Sequence, residues 1–132
     1  MDELGIEARR ENLDAVLDFV AARLADCPPE IRNHLLIIAD ELFTNIVRHA
    51  CLPASSGIMV RLAAEPPAVV LEFEDSGVEF NPLSVEPPDL ASPPESRPLG
   101  GLGLFLARGL ADDMDYRREG PKNIVTVRKN IP

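Results

Sequence analysis

The sequence predicts an α+β fold: a sandwich with helices layered on one face of a mixed sheet. Two stretches in the first half carry apolar residues at helical spacing. Short alternating runs follow in two pairs, and there is no regular strand–helix–strand alternation of the kind that builds a parallel βαβ array. At 132 residues the chain suits one domain around one core, and no internal repeat is evident.

Leu4 to Ala8 alternates apolar and polar residues, which predicts a short first strand. Leu13, Val16, Leu17, Val20, Ala21 and Leu24 then fall on one helical stripe, with Asn12 placed to cap its start and Pro28-Pro29 to stop it. A second helix is expected from about Glu30 to Ala50, with Ile31, Leu35, Ile38, Leu42 and Ile46 on its apolar face, ended by Pro53 and Ser55-Ser56-Gly57. Ile58–Ala63 and Val69–Asp75 read as strands joined by a hairpin turn at Glu65-Pro66-Pro67. From Gly77 to Gly100 no period survives, and Pro82, Pro87, Pro88, Pro93, Pro94 and Pro98 interrupt the chain. A stretch of that length in a compact domain is usually a lid or binding loop. Leu102–Ala111 reads as a third helix, and Asp115–Arg118 and Asn123–Lys129 as closing strands joined at Gly120-Pro121.

Net charge is −9, which argues against a nucleic-acid partner, since phosphate backbones select basic surfaces. Acidity does not exclude a nucleotide whose phosphates meet a cation and backbone N–H groups, and it suits protein partners with basic patches. No run approaches the roughly 20 apolar residues of a membrane span, and the N-terminus lacks a basic-then-apolar pattern. A cytoplasmic location is therefore expected, with Cys27 and Cys51 as free thiols, since neither has metal-site spacing.

Three constellations carry chemistry. In DELFTNIVRHA, residues 40–50, Glu41, Asn45 and His49 are spaced four apart and share a helix face. A carboxamide such as Asn45 offers a neutral oxygen to Mg²⁺, and Glu41 can accept a proton from an attacking hydroxyl. Alone, the stripe also fits the solvated face of an amphipathic helix. In EFEDSGVEFNP, residues 72–82, a strand ends in Asp75, an acceptor for the exocyclic amine of a base, and Gly77 permits close approach of a flat ring; D-S-G is equally a turn sequence. In LGGLGLFLARGLADDMD, residues 99–115, Gly100, Gly101 and Gly103 feed a helix whose N-terminal N–H groups suit phosphates, although a hinge or tight helix packing would use the same glycines. Neither a Walker motif nor a dinucleotide fingerprint is present.

Taken in order, these motifs resemble the N, G1 and G2 boxes of the GHKL ATPase superfamily. ELFTNIVRHA, EDSGVEFNP and GLGLFLARGLADDMDYRRE are most similar to the corresponding segments of the anti-sigma-factor serine kinases, the RsbW-like and SpoIIAB-like proteins. The resemblance spans nearly the whole chain, whose length matches a stand-alone kinase. It implies a two-layer α/β sandwich of the Bergerat type, with an ATP lid at about residues 80–100.

In that family Asn45 would bind the Mg²⁺ that bridges the phosphates of ATP, and Glu41 would be the general base. Asp75 would bind the adenine amine, with Gly77 allowing ring approach. Gly101 and Gly103 would lie along the triphosphate, and Arg97 would reach it from the lid. The implied substrate is a STAS-domain anti-anti-sigma protein, the implied wider partner a sigma factor, and the implied assembly a homodimer.

Two departures stand out. The third motif reads Leu99-Gly100-Gly101-Leu102-Gly103-Leu104 where many relatives carry G-R-G-L-G-L. The last strand reads Asn123-Ile124, with Thr126 two residues on, where relatives often carry Gly-Thr. Two functions follow: a protein kinase acting in partner switching, or a nucleotide-dependent regulatory binding protein of the same fold without kinase activity. Retention of both Glu41 and Asn45 favours the first, since a pure binder needs no base.

Overall fold

The computed structural model describes residues 1–49, 53, 56–84 and 101–132, with the backbone alone at 101 and 102. The chain runs β1 (Asp2–Glu7), α1 (Leu13–Arg23), α2 (Pro29–His49), β2 (Gly57–Glu65), β3 (Ala68–Asp75), α3 (Gly101–Leu110), β4 (Asp113–Glu119) and β5 (Lys122–Asn130). Single 3₁₀ turns sit at Arg10–Asn12 and Pro82–Ser84.

The α+β class and the order of elements are as expected, with three local corrections. Asn12 does not cap α1 through its side chain; its Nδ2 donates to the Glu7 carbonyl at 3.0 Å and ties the helix start to β1 instead. Helix α1 ends at Arg23, before the prolines, where the Leu24 N–H turns back to the Ala21 carbonyl at 3.2 Å. Pro29 opens α2 rather than closing α1, a position where its missing N–H costs nothing.

The five strands form one sheet in the order β1-β2-β3-β5-β4. Among the described residues every pairing is antiparallel, so the sheet they form is not the mixed one expected. The connection through α3 does return β4 parallel to β3. The hairpin then places β5 between them, antiparallel to both, with Gly120 at φ +56° in its turn. This insertion sets Asn123 opposite Asp75.

All three helices cover one face. Helix α2 is the middle one, packed against α1 and α3. Val16, Phe19 and Val20 of α1, Leu35, Ile38, Leu42 and Phe43 of α2, and Leu104 and Ala107 of α3 are buried with Val60, Leu62, Leu71, Phe73, Val125 and Val127 of the sheet. The period-2 alternation puts the opposite side chains on the other face, which is charged. There Arg61 lies 3.1 Å from Glu72, 3.3 Å from Glu74 and 3.7 Å from Glu3, while Lys122 reaches Glu74 at 3.3 Å. Thr126 belongs to this outer face, donating to Glu72 Oε2 at 3.1 Å. No described helix is long and apolar enough to cross a membrane.

Leu71 is fully buried on a central strand. Leu71→Ala is expected to destabilise the fold by about 2–5 kcal/mol, read as a lower urea midpoint at unchanged slope.

Candidate functional site

Helix α2 supplies the first part of the site because its polar stripe lies at the border of its buried face. Leu42 and Ile46 turn into the core, and the stripe of Glu41, Asn45 and His49 runs beside them. Asn45 is buried, 7% exposed. Glu41 is half-buried, and its carboxylate lies where a Cβ on Gly103 would be, so it rests against α3 only while residue 103 is glycine. Burial pushes the Glu41 carboxyl above the usual carboxylate range; the Asp40 charge adds to this and Arg48 opposes it.

Gly101 begins α3, and Gly103 lies in the same first turn, where backbone N–H groups have no partner within the helix. Such a turn beside an acid is suited to an anionic ligand whose charge is shared with a cation. Among the described residues no three His, Cys, Asp or Glu side chains converge, so a cation at this place would be held by Asn45 together with ligand oxygens and water.

The second part lies at the end of β3. Asp75 is 5% exposed, and its Oδ1 accepts from the Gly77 N–H at 2.8 Å and from Asn123 Nδ2 at 3.0 Å. Gly77 thus closes a turn on the acid that it was expected to accompany. Asn123 also donates to the Val78 carbonyl at 2.8 Å, and its oxygen accepts from Tyr116 Oη at 2.6 Å and Arg118 Nη1 at 3.0 Å. Burial, and then the charge of Glu79, raises the Tyr116 phenol above its ordinary range, so it stays a donor.

Between the two parts lies a narrow, nearly closed cleft, with room for little more than a water at about 20 Å³, lined by Leu42, Asn45, Ile46, Phe73, Asp75, Phe80, Pro82, Asn123 and Val125. Its walls are apolar with a few polar groups converging, the usual make-up of a small-molecule site. The Phe80 ring stacks on His49 with centroids 5.0 Å apart and 15° between planes. Burial and the neighbouring Arg48 lower the His49 pKa, so the imidazole is neutral at pH 7.

The fold therefore brings Glu41 to Gly103, sets Asn45 in one cleft with Asp75, and places Gly101 in the same helical turn as Gly103. Arg97, Gly100 and most of the expected lid lie outside the described residues. Asn123, Tyr116 and the His49–Phe80 stack were not singled out in the sequence; the one pointer was the departure from Gly-Thr at Asn123-Ile124. The donor set fits a magnesium nucleotide: a neutral oxygen for the cation, helix N-terminal N–H groups for phosphates, and a buried carboxylate in an apolar cleft for a base.

The histidine kinase-like ATPase domain pattern matches residues 6–129. The serine/threonine-protein kinase BtrW of Bordetella bronchiseptica is 32% identical over 98 residues, 74% of this chain and 69% of BtrW. The serine-protein kinase RsbW of Bacillus cereus is 33% identical over 113 residues, 83% of this chain and 70% of RsbW. Among solved structures, a Mycobacterium tuberculosis protein with RsbU and RsbW domains superposes at a TM-score of 0.68 and 15% identity, over 99% of this chain and 32% of that one. The Acinetobacter baumannii histidine kinase AdeS superposes at 0.53 and 16% identity, over 99% of this chain and 68% of AdeS. At such identities the two structures speak to the fold alone. The chain spans about a third of the M. tuberculosis protein.

A raised Glu41 pKa has a stability consequence with a definite sign. The folded state holds this proton more tightly than the unfolded state, so Glu41 costs stability as pH rises from the ordinary carboxylate range through its raised pKa. Glu41→Gln is expected to gain stability relative to the parent at pH 8 and not at pH 4, measured by urea unfolding at both. Gly103→Ala is expected to displace the flexible Glu41 carboxylate toward solvent rather than unfold α3, since alanine is the better helix former. Its Glu41 titration, followed by NMR, should move back toward the ordinary carboxylate range.

Proposed function

The chain belongs to the histidine kinase-like ATPase family, and we propose that it is an ATP- and Mg²⁺-dependent serine/threonine-protein kinase and anti-sigma regulator. Its substrate in this reading is a STAS-type anti-anti-sigma protein in a partner-switching system, and its further partner a sigma factor. The kinase names of its relatives BtrW and RsbW support this reading. The observation that carries it is the convergence on one helix face: Glu41 against the first turn of α3, and Asn45 one turn along, lining the cleft that also holds Asp75.

Each residue then has a task. Asp75 accepts the adenine amine, with Gly77 holding the turn beside it. Asn45 binds the Mg²⁺. The N–H groups of the α3 first turn, at Gly101 and Gly103, face the phosphates, and Arg97 contacts them from the lid. When bound, Mg-ATP supplies the phosphoryl group and the positive charge that stabilises its transfer. Glu41 accepts the proton of the incoming serine hydroxyl, and its raised pKa brings it closer to the pH at which a base works best. The net charge of −9 suits a protein substrate that presents basic residues. The whole chain acts as one ATP-binding domain in the cytoplasm, paired as a homodimer.

The altered third motif, Leu99-Gly100-Gly101, favours a second reading: a nucleotide-dependent regulatory binding protein without transfer. Incubation with γ-labelled ATP and candidate STAS proteins separates the two. Label on the partner is expected; tight ATP binding with no label on any such partner would establish the second reading. Glu41→Gln should keep ATP affinity and slow transfer by about 10²–10⁴-fold. Asn45→Ala should weaken Mg-ATP binding and transfer together. An undiminished rate in Glu41→Gln removes Glu41 from the role of base.

A further inference from the structure

We propose that Asn123 is a positioning residue for base recognition: its carboxamide holds the Asp75 carboxylate in the orientation that reads an adenine amine. The inference deepens the nucleotide reading above and rests on it.

Asn123 faces Asp75 across the β3–β5 ladder and is 3% exposed. On its nitrogen side stand two groups that only accept, Asp75 Oδ1 at 3.0 Å and the Val78 carbonyl at 2.8 Å. On its oxygen side stand Tyr116 Oη at 2.6 Å, Arg118 Nη1 at 3.0 Å and the Phe80 N–H at 3.4 Å. Arginine and backbone N–H can only donate, so the amide has one orientation that satisfies every neighbour. Both of its N–H bonds are committed within the protein, which leaves it no donor for a ligand. Its influence on a base runs through Asp75.

Two donors on one oxygen, Asn123 Nδ2 and the Gly77 N–H, fix the rotation of the Asp75 carboxylate and hence where its acceptor lone pairs point. Arg118 steadies the same corner from the edge strand by donating to the Gly77 carbonyl at 2.9 Å. A threonine has a single hydroxyl donor and could not bridge Asp75 and Val78 as Asn123 does. The carboxamide thus spans the acid, the loop and β4.

The test compares Mg-ATP with Mg-ITP, whose base carries a carbonyl in place of the adenine amine, by calorimetry on the full chain. The parent protein is expected to favour ATP by about tenfold or more. Asn123→Asp keeps the shape but turns a second acceptor toward Asp75; it is expected to weaken ATP more than ITP and bring the two within about threefold. If both nucleotides weaken alike and the preference survives, Asn123 is merely structural and the proposal is overturned. Should Asn123→Asp fail to fold by circular dichroism, Tyr116→Phe removes only the 2.6 Å bond and is expected to narrow the preference in the same direction. An unchanged preference there overturns the proposal equally. A parent protein that binds both nucleotides without preference refutes base reading by Asp75 alone, whereas one that binds neither refutes the nucleotide reading itself.

Discussion

The geometry of the candidate site depends on how closely α3 lies against the Glu41 side of α2. A side chain at position 103 would occupy the space of the Glu41 carboxylate, so the contact exists only with glycine there. Its consequences spread in both directions. It brings the first turn of α3, whose N–H groups have no partner within the helix, beside Glu41, whose burial raises its pKa.

The other half of the site is held by sheet register rather than helix packing. The β4–β5 hairpin inserts β5 beside β3, and that insertion puts Asn123 opposite Asp75. In the sequence, a turn at Asp75-Ser76-Gly77 and a base-binding acid are competing readings. In the structure the turn closes on Asp75 Oδ1, and the carboxylate also lines the cleft, so the turn does not remove the acid from it. Among the described residues the buried acid is held by two neutral donors, the Gly77 N–H and Asn123 Nδ2.

Charge is sorted by face. The side of the sheet away from the helices carries a lattice of Arg61, Lys122 and the acids Glu72 and Glu74, largely self-compensating and of modest worth to stability. The cleft side relies on neutral or backbone donors around Asp75. A chain with a net charge of −9 can therefore offer a site to an anionic ligand without a cluster of basic side chains, provided that a cation accompanies it.

The number, kind and order of elements were legible from the chain because hydrophobic period and turn chemistry are local properties. So were Glu41, Asn45 and His49 as one stripe, since spacing of four fixes a helix face. Most positions where that reading failed are set by partners elsewhere in the chain. Asn12 bonds to β1 instead of its own helix, Pro29 starts a helix instead of ending one, and a sheet expected to be mixed is antiparallel because the final hairpin chose its slot. The contacts of Asn123, Tyr116 and Phe80 were not legible for the same reason: nothing in a local window says that residue 123 will face residue 75, or that 80 will stack on 49. Local chemistry along the chain thus determined the elements and the candidate residues on each. Only the tertiary fold decided which of them meet, because a cross-strand register and a helix–helix approach are contacts between segments far apart in the chain.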